Sequence, residues 1–487
     1  MSVLVRGGAL TLGGSLLARL VSVAQSIVIA RGLDPHRLGV FAIVNYVLGL
    51  GGAIVDLGVP VATAKLVAEA RAARPTALRR LVVILVGFSV VLATAGALGL
   101  LGGADALSRF YREPALAPLF RLAAALLFAA LVGATLASAA QGVQRIDALA
   151  AATAVKAVVA LGATLVLLPS FGLVGVVVAS IVAEAIAWPL VGRPLRQALA
   201  AAPAGTDAVA AGPTVARTLA VSLPVVLNGL VVWGGAWFVR SYLARKAGYE
   251  AVAYFHVADA CARLLLLMPS AMAVPFLPAI SASVALGRET TSRMIEGGLR
   301  LTLLAVAPAG AFLCLAAEPV LAVVYGDVYA GAAASLTAAL VLAAGFQAMT
   351  VIVWSTLVGA GRTWSGLAMQ SAGQLALVTV TAVLVPALGL SGVALAAIVA
   401  AVATAALGLT LVCSELGVRF AAVRSALTVA LLGWLGAAAL WTAGATGWLA
   451  AVALAAAVVM LQFQRLTPDE RRWVLARVRR PAAEAVR

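Results

Sequence analysis

Long apolar runs fill the sequence from end to end, each closed by a short cluster of charged, proline or glycine residues. Within the runs, apolar and polar positions do not alternate at period two, which excludes the strands of a membrane β-barrel. A bilayer core of about 30 Å is crossed by about 20 apolar residues in a helix. On that measure the pattern predicts fourteen helices, at about 8–31, 37–64, 80–103, 116–140, 148–168, 173–191, 216–243, 251–284, 298–317, 331–358, 364–385, 390–413, 425–443 and 447–464. The expected fold is an all-α polytopic membrane protein.

The segments between helices alternate in charge. One set carries Lys65, Arg71, Arg74, Arg79 and Arg80, then Arg145, then Arg193, Arg196 and Arg217, then Arg288, Arg293 and Arg300, then Arg362, then Arg419 and Arg424. The alternate set includes LPSFG, PALGLSG and TAGATG, which carry no charge. Positive charge collects on the cytoplasmic side, so both termini are expected inside, as an even number of helices requires. The first run continues to about Ala30 without a short apolar core and a cleavage site, so the first helix is expected to be retained.

Composition agrees: 64% of the 487 residues are hydrophobic, 11% are charged, and the mean hydropathy is +1.10. The net charge of +16 would point to nucleic acid in a soluble chain. Here most of it is topology, and the tail RLTPDERRWVLARVRR is expected to lie on anionic headgroups; no nucleic-acid partner is expected. Cys261, Cys314 and Cys413 each sit in an apolar run and read as small hydrophobes. With His36 and His256 the only histidines, no metal site and no cofactor are expected. Lys65, Lys156 and Lys246 are the only lysines and none follows a phosphate-binding glycine loop, so nucleotide-driven pumping by that route is excluded. The loops are too short for a catalytic domain, and no enzyme activity is expected.

The sequence repeats. Gln141–Ala183 aligns without a gap on Val358–Ala400, pairing Gly142 with Gly359, Arg145 with Arg362, Pro169 with Pro386, Gly172 with Gly389 and Gly175 with Gly392. The shared skeleton is G-x-x-R followed by P-x-x-G-L-x-G-V. A weaker register at an offset of 214 relates Arg31 to Arg245 and Phe41 to Phe255. Six helices separate the copies, so the halves are expected to be parallel bundles with a cavity between them. The expected divisions are a first six-helix bundle over 1–200, a second over 201–415, helices 13 and 14 over 416–464, and a basic cytoplasmic tail over 465–487.

The six-plus-six-plus-two arrangement, the ARGLDPHRLGVFAI junction, the DLG of helix 2 and the twin G-x-x-R and G-L-x-G-V elements resemble the polysaccharide exporter or O-antigen-type flippases. These belong to the multidrug, oligosaccharidyl-lipid and polysaccharide (MOP) exporter superfamily. The resemblance covers nearly the whole chain. It implies a MOP-type transporter fold in a bacterial inner membrane that moves an undecaprenyl-diphosphate-linked oligosaccharide from the cytoplasmic to the outer leaflet by alternating access. It also implies the lipid-linked glycan and the bilayer as partners, polysaccharide polymerase and chain-length proteins as further candidates, and a monomer.

Ionisable residues inside a membrane need a partner, a wet cavity or a function. Arg19 lies on one helix face with Thr11, Ser15, Ser22 and Ser26, with Gln25 beside it. It reads as cavity-lining or as a structural pair with an acid. At an offset of 214, Ser26 corresponds to Arg240, which reads equally as a cleft arginine or one reaching headgroups. Asp259 and Arg263, four apart, read as an intrahelical pair or as a coupling acid beside a phosphate-binding arginine. Pro269, Pro275 and Pro278 predict a break in that helix. Lys156 and Glu184 fall at comparable depth on adjacent helices and read as a buried pair first and as coupling groups second. Asp56 reads as a helix-break cap first and as a cation or proton site second. Trp233, Trp237 and Asn228 give helix 7 a polar aromatic surface, either as interface anchors or facing a glycan.

Arginine forks match phosphate oxygens, so Arg19, Arg263 and Arg240 are the candidate diphosphate ligands. Asp259, Glu184, Asp56 and Lys156 are the coupling candidates, and Trp233, Trp237, Asn228 and Gln25 the candidates to face the glycan. Three alternatives stay open. A lipid II flippase would share the cationic cleft, a cation antiporter of the multidrug and toxin extrusion type would need the acids and not the arginines to line it, and a membrane scaffold would keep the arginines paired and dry.

Overall fold

The computed structural model describes residues 18–203, 211–418 and 421–464. Thr11, Ser15, Arg419 and the basic tail lie outside that range. The chain forms two compact units, Met1–Ala253 and Tyr254–Arg487. Among the described residues there is helix and turn but no strand. Lipid offers backbone groups no partner, so a chain this apolar closes its hydrogen bonds within helices.

Unit 1 holds α1 (18–32), α2 (Pro35–Val55), α3 (Val59–Ala73), α4 (Leu78–Tyr111), α5 (Leu116–Gly142), α6 (Ile146–Ala200) and α7 (Ala211–Ala247). α8 (Tyr249–Ala262) crosses the division. Unit 2 continues with α9 (Leu267–Leu286), α10 (Arg288–Leu315), α11 (Ala317–Tyr325), α12 (Asp327–Gly359), α13 (Thr363–Leu388), α14 (Leu390–Leu416), α15 (Ala421–Thr442) and α16 (Trp448–Gln464).

Eleven helices among the described residues are long and apolar enough to cross a membrane. The fourteen expected from the sequence relate to these as follows. The first lies partly outside the described residues, the fifth and sixth are joined as the 55-residue α6, and the fourteenth is the 17-residue α16.

Two prolines place the breaks. Pro60 would press its ring on the carbonyl of Asp56 in a continuous helix, and the chain turns there instead, with Leu57 at φ 45° and Gly58 at φ 67°. Pro269 bears in the same way on Leu265, and a 3₁₀ turn over Arg263–Leu266 separates α8 from α9. Pro275 and Pro278 are accommodated inside α9, so the expected break is real but lies before the proline cluster.

The repeat recurs in backbone geometry. Arg145 precedes α6 at φ −85°, ψ 58°, and Arg362 precedes α13 at φ −94°, ψ 51°. Arg145 N donates to Ala140 O at 2.9 Å, and Arg362 N to Leu357 O at 2.7 Å, the same pair of positions in each copy. Gln144 is left-handed at φ 62° where the other copy has Gly361 at φ 77°. Gly172 bends α6 at φ 55°, ψ −131°, and Gly389 separates α13 from α14 at φ 55°, ψ −127°. Past each bend, a Cβ on Gly175 would meet Leu167 O at 2.4 Å, and one on Gly392 would meet Leu384 O at 2.7 Å. The fifth and sixth helices expected from the sequence are therefore one hinged hairpin, built twice.

Helices 13 and 14 of that expected set are part of unit 2. Trp434 of α15, 1% exposed, lies over Gly310 of α10 and Gly345 of α12, where added Cβ atoms would come within 2.7 and 2.5 Å of its ring. Gln462 of α16 donates to Leu303 O of α10 at 3.1 Å, and Gly447 N to Leu315 O at 3.0 Å.

Gly172 and Gly389 have open space where a methyl group would project, but a backbone that only glycine adopts readily. Gly172→Ala and Gly389→Ala should each cost about 1–3 kcal/mol by strain alone. Thermal unfolding of the purified protein should show similar drops for the two; a drop for only one would contradict the equivalence of the hinges.

Candidate functional site

A cavity of about 800 Å³ lies within unit 1. α1 contributes Ser22 and Gln25, α2 contributes Gly49 and Gly52, and the α2–α3 break contributes Asp56 and Gly58. Thr153 and Lys156 come from the first half of α6, Ser180 and Glu184 from the second half, and Gly229 and Trp233 from α7. The glycines thin the α2 wall. A Cβ on Gly49 would lie 2.3 Å from the Trp233 ring, so the indole sits directly on the α2 backbone and reaches the cavity from there.

The hinged hairpin brings Lys156 and Glu184 together as an ion pair. The two side chains differ in access. Glu184 is 10% exposed and Lys156 44%, and both line the cavity. Trp188, one turn on from Glu184, donates its indole N–H to Ala129 O at 3.1 Å and fixes α6 against α5.

Asp56 has the cap geometry expected first: its Oδ1 accepts from Gly58 N at 2.7 Å. The break is held from α7 as well, because Ser222 Oγ donates to Leu57 O at 2.7 Å. A Cβ on Gly58 would lie 2.4 Å from Ser222 Cβ. Asp56 still lines the cavity. Gln25 donates to Thr164 Oγ1 at 3.0 Å and to Ala160 O at 3.4 Å, docking α1 on α6.

The arginines are elsewhere. Arg19 is exposed and is not among the cavity's lining residues, although Ala18 and Ser22 beside it are. Arg240 is 3% exposed, with its guanidinium carbon 3.6 Å from the centre of the Tyr46 ring and Nη1 donating to Ala236 O at 3.4 Å. Trp237 donates to Tyr111 Oη at 2.8 Å, and that hydroxyl also pairs with Ser241 Oγ at 2.6 Å. Trp237 thus ties α7 to α4, and only Trp233 of the helix 7 aromatics lines this cavity. Asn228 is half-buried next to the lining residue Gly229. In unit 2, Arg263 Nε donates to Asp259 Oδ2 at 3.0 Å across one helical turn.

The structure therefore collects Gln25, Asp56, Lys156, Glu184 and Trp233 at one cavity and leaves Arg19 and Arg240 off its wall. Sequence reasoning missed Thr153, Ser180, Tyr46 and the anchoring Trp188. The last had a signal, since it lies four residues after a membrane-embedded acid.

The profile of the polysaccharide biosynthesis protein family matches residues 4–284. The chain belongs to that family. Its fold is that of the MOP superfamily transporters. An inward-facing multidrug resistance transporter of the MATE family aligns with a TM-score of 0.73 at 17% identity, over 82% of this chain and 94% of the other. The lipid II flippase MurJ, in an inward closed conformation, aligns with a TM-score of 0.71 at 11% identity, over 93% and 98%. A MOP superfamily transporter from Pyrococcus furiosus, described as having a binding pocket of reversed polarity that suggests a different function, aligns with a TM-score of 0.64 at 18% identity, over 85% and 96%. No curated protein matches the sequence. This member of the polysaccharide biosynthesis family is thus a multi-pass membrane protein with a transporter fold.

Its ion pair makes an asymmetric prediction. Lys156→Met strands the buried Glu184 carboxylate and should destabilise by on the order of 3 kcal/mol. Glu184→Gln leaves a half-exposed ammonium and should cost about 1 kcal/mol or less. Adding Glu184→Gln to Lys156→Met should restore much of the loss in thermal unfolding; equal costs for the two single changes would contradict the arrangement.

Proposed function

We propose that the protein is a flippase that moves an undecaprenyl-diphosphate-linked oligosaccharide from the cytoplasmic to the outer leaflet of a bacterial inner membrane, by alternating access and as a monomer with both termini inside. The observation that carries this reading is family membership in polysaccharide biosynthesis over residues 4–284, on a fold whose relatives carry solutes or lipid-linked precursors across membranes. The proposed work is transport and not bond chemistry. Arg19, Arg240 and Arg263 are the proposed diphosphate ligands, the permanently charged fork being suited to phosphate oxygens. Trp233 and Gln25 are the proposed glycan-facing groups at the unit 1 cavity. Trp237 and Asn228, on the same helix as Trp233, complete the proposed glycan-facing set. Asp259, Glu184, Asp56 and Lys156 are the proposed coupling groups, with an ion gradient or the membrane potential as driving force. The lipid II flippase reading shares this chemistry and differs in the glycan.

A second reading, extrusion of a cationic solute, is favoured by one observation: Asp56 and Glu184 line the unit 1 cavity, and neither Arg19 nor Arg240 does. Lys156 offsets one of the two acids, which weakens that argument.

Arg19 separates the two readings. Arg19→Ala should abolish glycan export in a cell lacking other flippases, while leaving the protein folded and inserted. Unchanged export would remove Arg19 from the substrate path.

A further inference from the structure

The Lys156–Glu184 pair stands between two cavities. On one side is the cavity of about 800 Å³ described above; on the other is a cavity of about 240 Å³ between α5 and the two halves of α6. Ala130, Thr153, Lys156 and Glu184 line both. The rest of the smaller cavity is apolar, including Gly133, Leu149, Trp188 and Val191, and it extends toward the end of the unit that carries the turn at Arg145. It has room for several waters at about 30 Å³ each, and the pair and the Thr153 hydroxyl are its polar groups. Glu184 lines the larger cavity beside its partner and has further water-sized space in the smaller one.

Among the described residues, the charged groups lining the two cavities are Asp56, Lys156 and Glu184. α1, α3, α5 and α7 add none to either lining. Among those residues Lys156 is thus the single cation the larger cavity offers, and Glu184 occupies it. Asp56 faces the same space from the helix break, with Oδ1 committed to Gly58 N.

We propose that Lys156 and Glu184 form a counter-ion exchange switch for a phosphate-bearing or other tetrahedral anion. With Glu184 ionised, the ammonium is paired and the cavity carries a net negative charge, which repels anions. A proton from bulk water that settles on the Glu184 carboxylate cancels that charge, frees Lys156, and lets its ammonium take an anion in the larger cavity. Anion and proton bind together and leave together. A diphosphate that takes up one proton still carries net negative charge outward, so an inside-negative membrane potential favours the movement. The switch rests on the flippase reading for its biological anion, but the site's preference is testable without it.

Sulfate is a suitable probe, because its charge stays constant across the range in which carboxylates and histidines titrate. Binding is measured by calorimetry on the full-length protein in lipid nanodiscs. Wild type should bind sulfate more tightly as pH falls. Glu184→Gln, which mimics the protonated acid, should bind at least about tenfold more tightly than wild type at neutral pH and lose the pH dependence. Adding Lys156→Gln to that variant should abolish binding, and Asp56→Asn should keep the pH dependence. No tightening in a monodisperse Glu184→Gln protein, tight binding that survives the loss of Lys156, or pH dependence that disappears with Asp56 would each overturn the switch. If the sulfate results hold while glycan export is absent, the flippase reading alone fails; if export is intact while Glu184→Gln binds no better, the switch alone fails.

Discussion

An unpaired backbone group costs several kcal/mol inside a bilayer, and this constraint governs the whole molecule. Every place where a helix stops or bends at membrane depth has to supply its own hydrogen-bond partners, so bends are few and built from specific residues. At Asp56–Gly58 the partners are the Asp56 carboxylate and the Ser222 hydroxyl. The turns before Arg145 and Arg362, which their charge places outside the apolar spans, close on the carbonyls of Ala140 and Leu357, reached by a left-handed residue just ahead of each arginine. The cavity of unit 1 is lined by glycines of α2 and α7 and by polar side chains of α1, the α2–α3 break and both halves of α6.

The same constraint makes the charged residues readable. Lys156 and Glu184 lie 28 residues apart and meet only because the Gly172 hinge folds α6 back on itself. Neither belongs to the repeat: Gly373 and Ala401 stand at the equivalent positions of the second copy. Gly373 is packed against Thr404 there, with no room for a side chain, as its Cβ would lie 1.8 Å from Thr404 Oγ1. Two hairpins with one backbone plan thus carry different interiors, a charged one in unit 1 and a close-packed one in unit 2. Duplication supplied the scaffold, and divergence within it supplied the chemistry.

Much of the fold was legible in the sequence because its signals are local. Apolar run lengths located the helices, and the pairing of Gly172 with Gly389 and of Arg145 with Arg362 located structural equivalents whose backbone angles differ by less than about 10°. The pairing of Lys156 with Glu184 and the cap at Asp56 were legible as well, since a buried charge or a helix break has few solutions. The wall of the cavity was not. Whether an arginine on a polar stripe faces a cavity depends on helix rotation, which a stripe one residue wide does not fix: Ser22 and Gln25 line the space, and Arg19 next to them does not. Arg240 is covered by Tyr46, a contact between α2 and α7 that no spacing within either helix announces. Trp434, likewise, packs into a notch made by glycines from two other helices.

The proposed cargo of this transporter fold is a lipid-linked glycan and not a free cation. The most direct measurement reconstitutes the purified protein in liposomes with an undecaprenyl-diphosphate-linked oligosaccharide confined to one leaflet, and follows the glycan's accessibility to an impermeant glycosidase on the other side. The account predicts glycan appearing on the far side at a rate that depends on the protein and on an imposed membrane potential. Transport of an organic cation by the same liposomes, with the glycan remaining where it was placed, would contradict it.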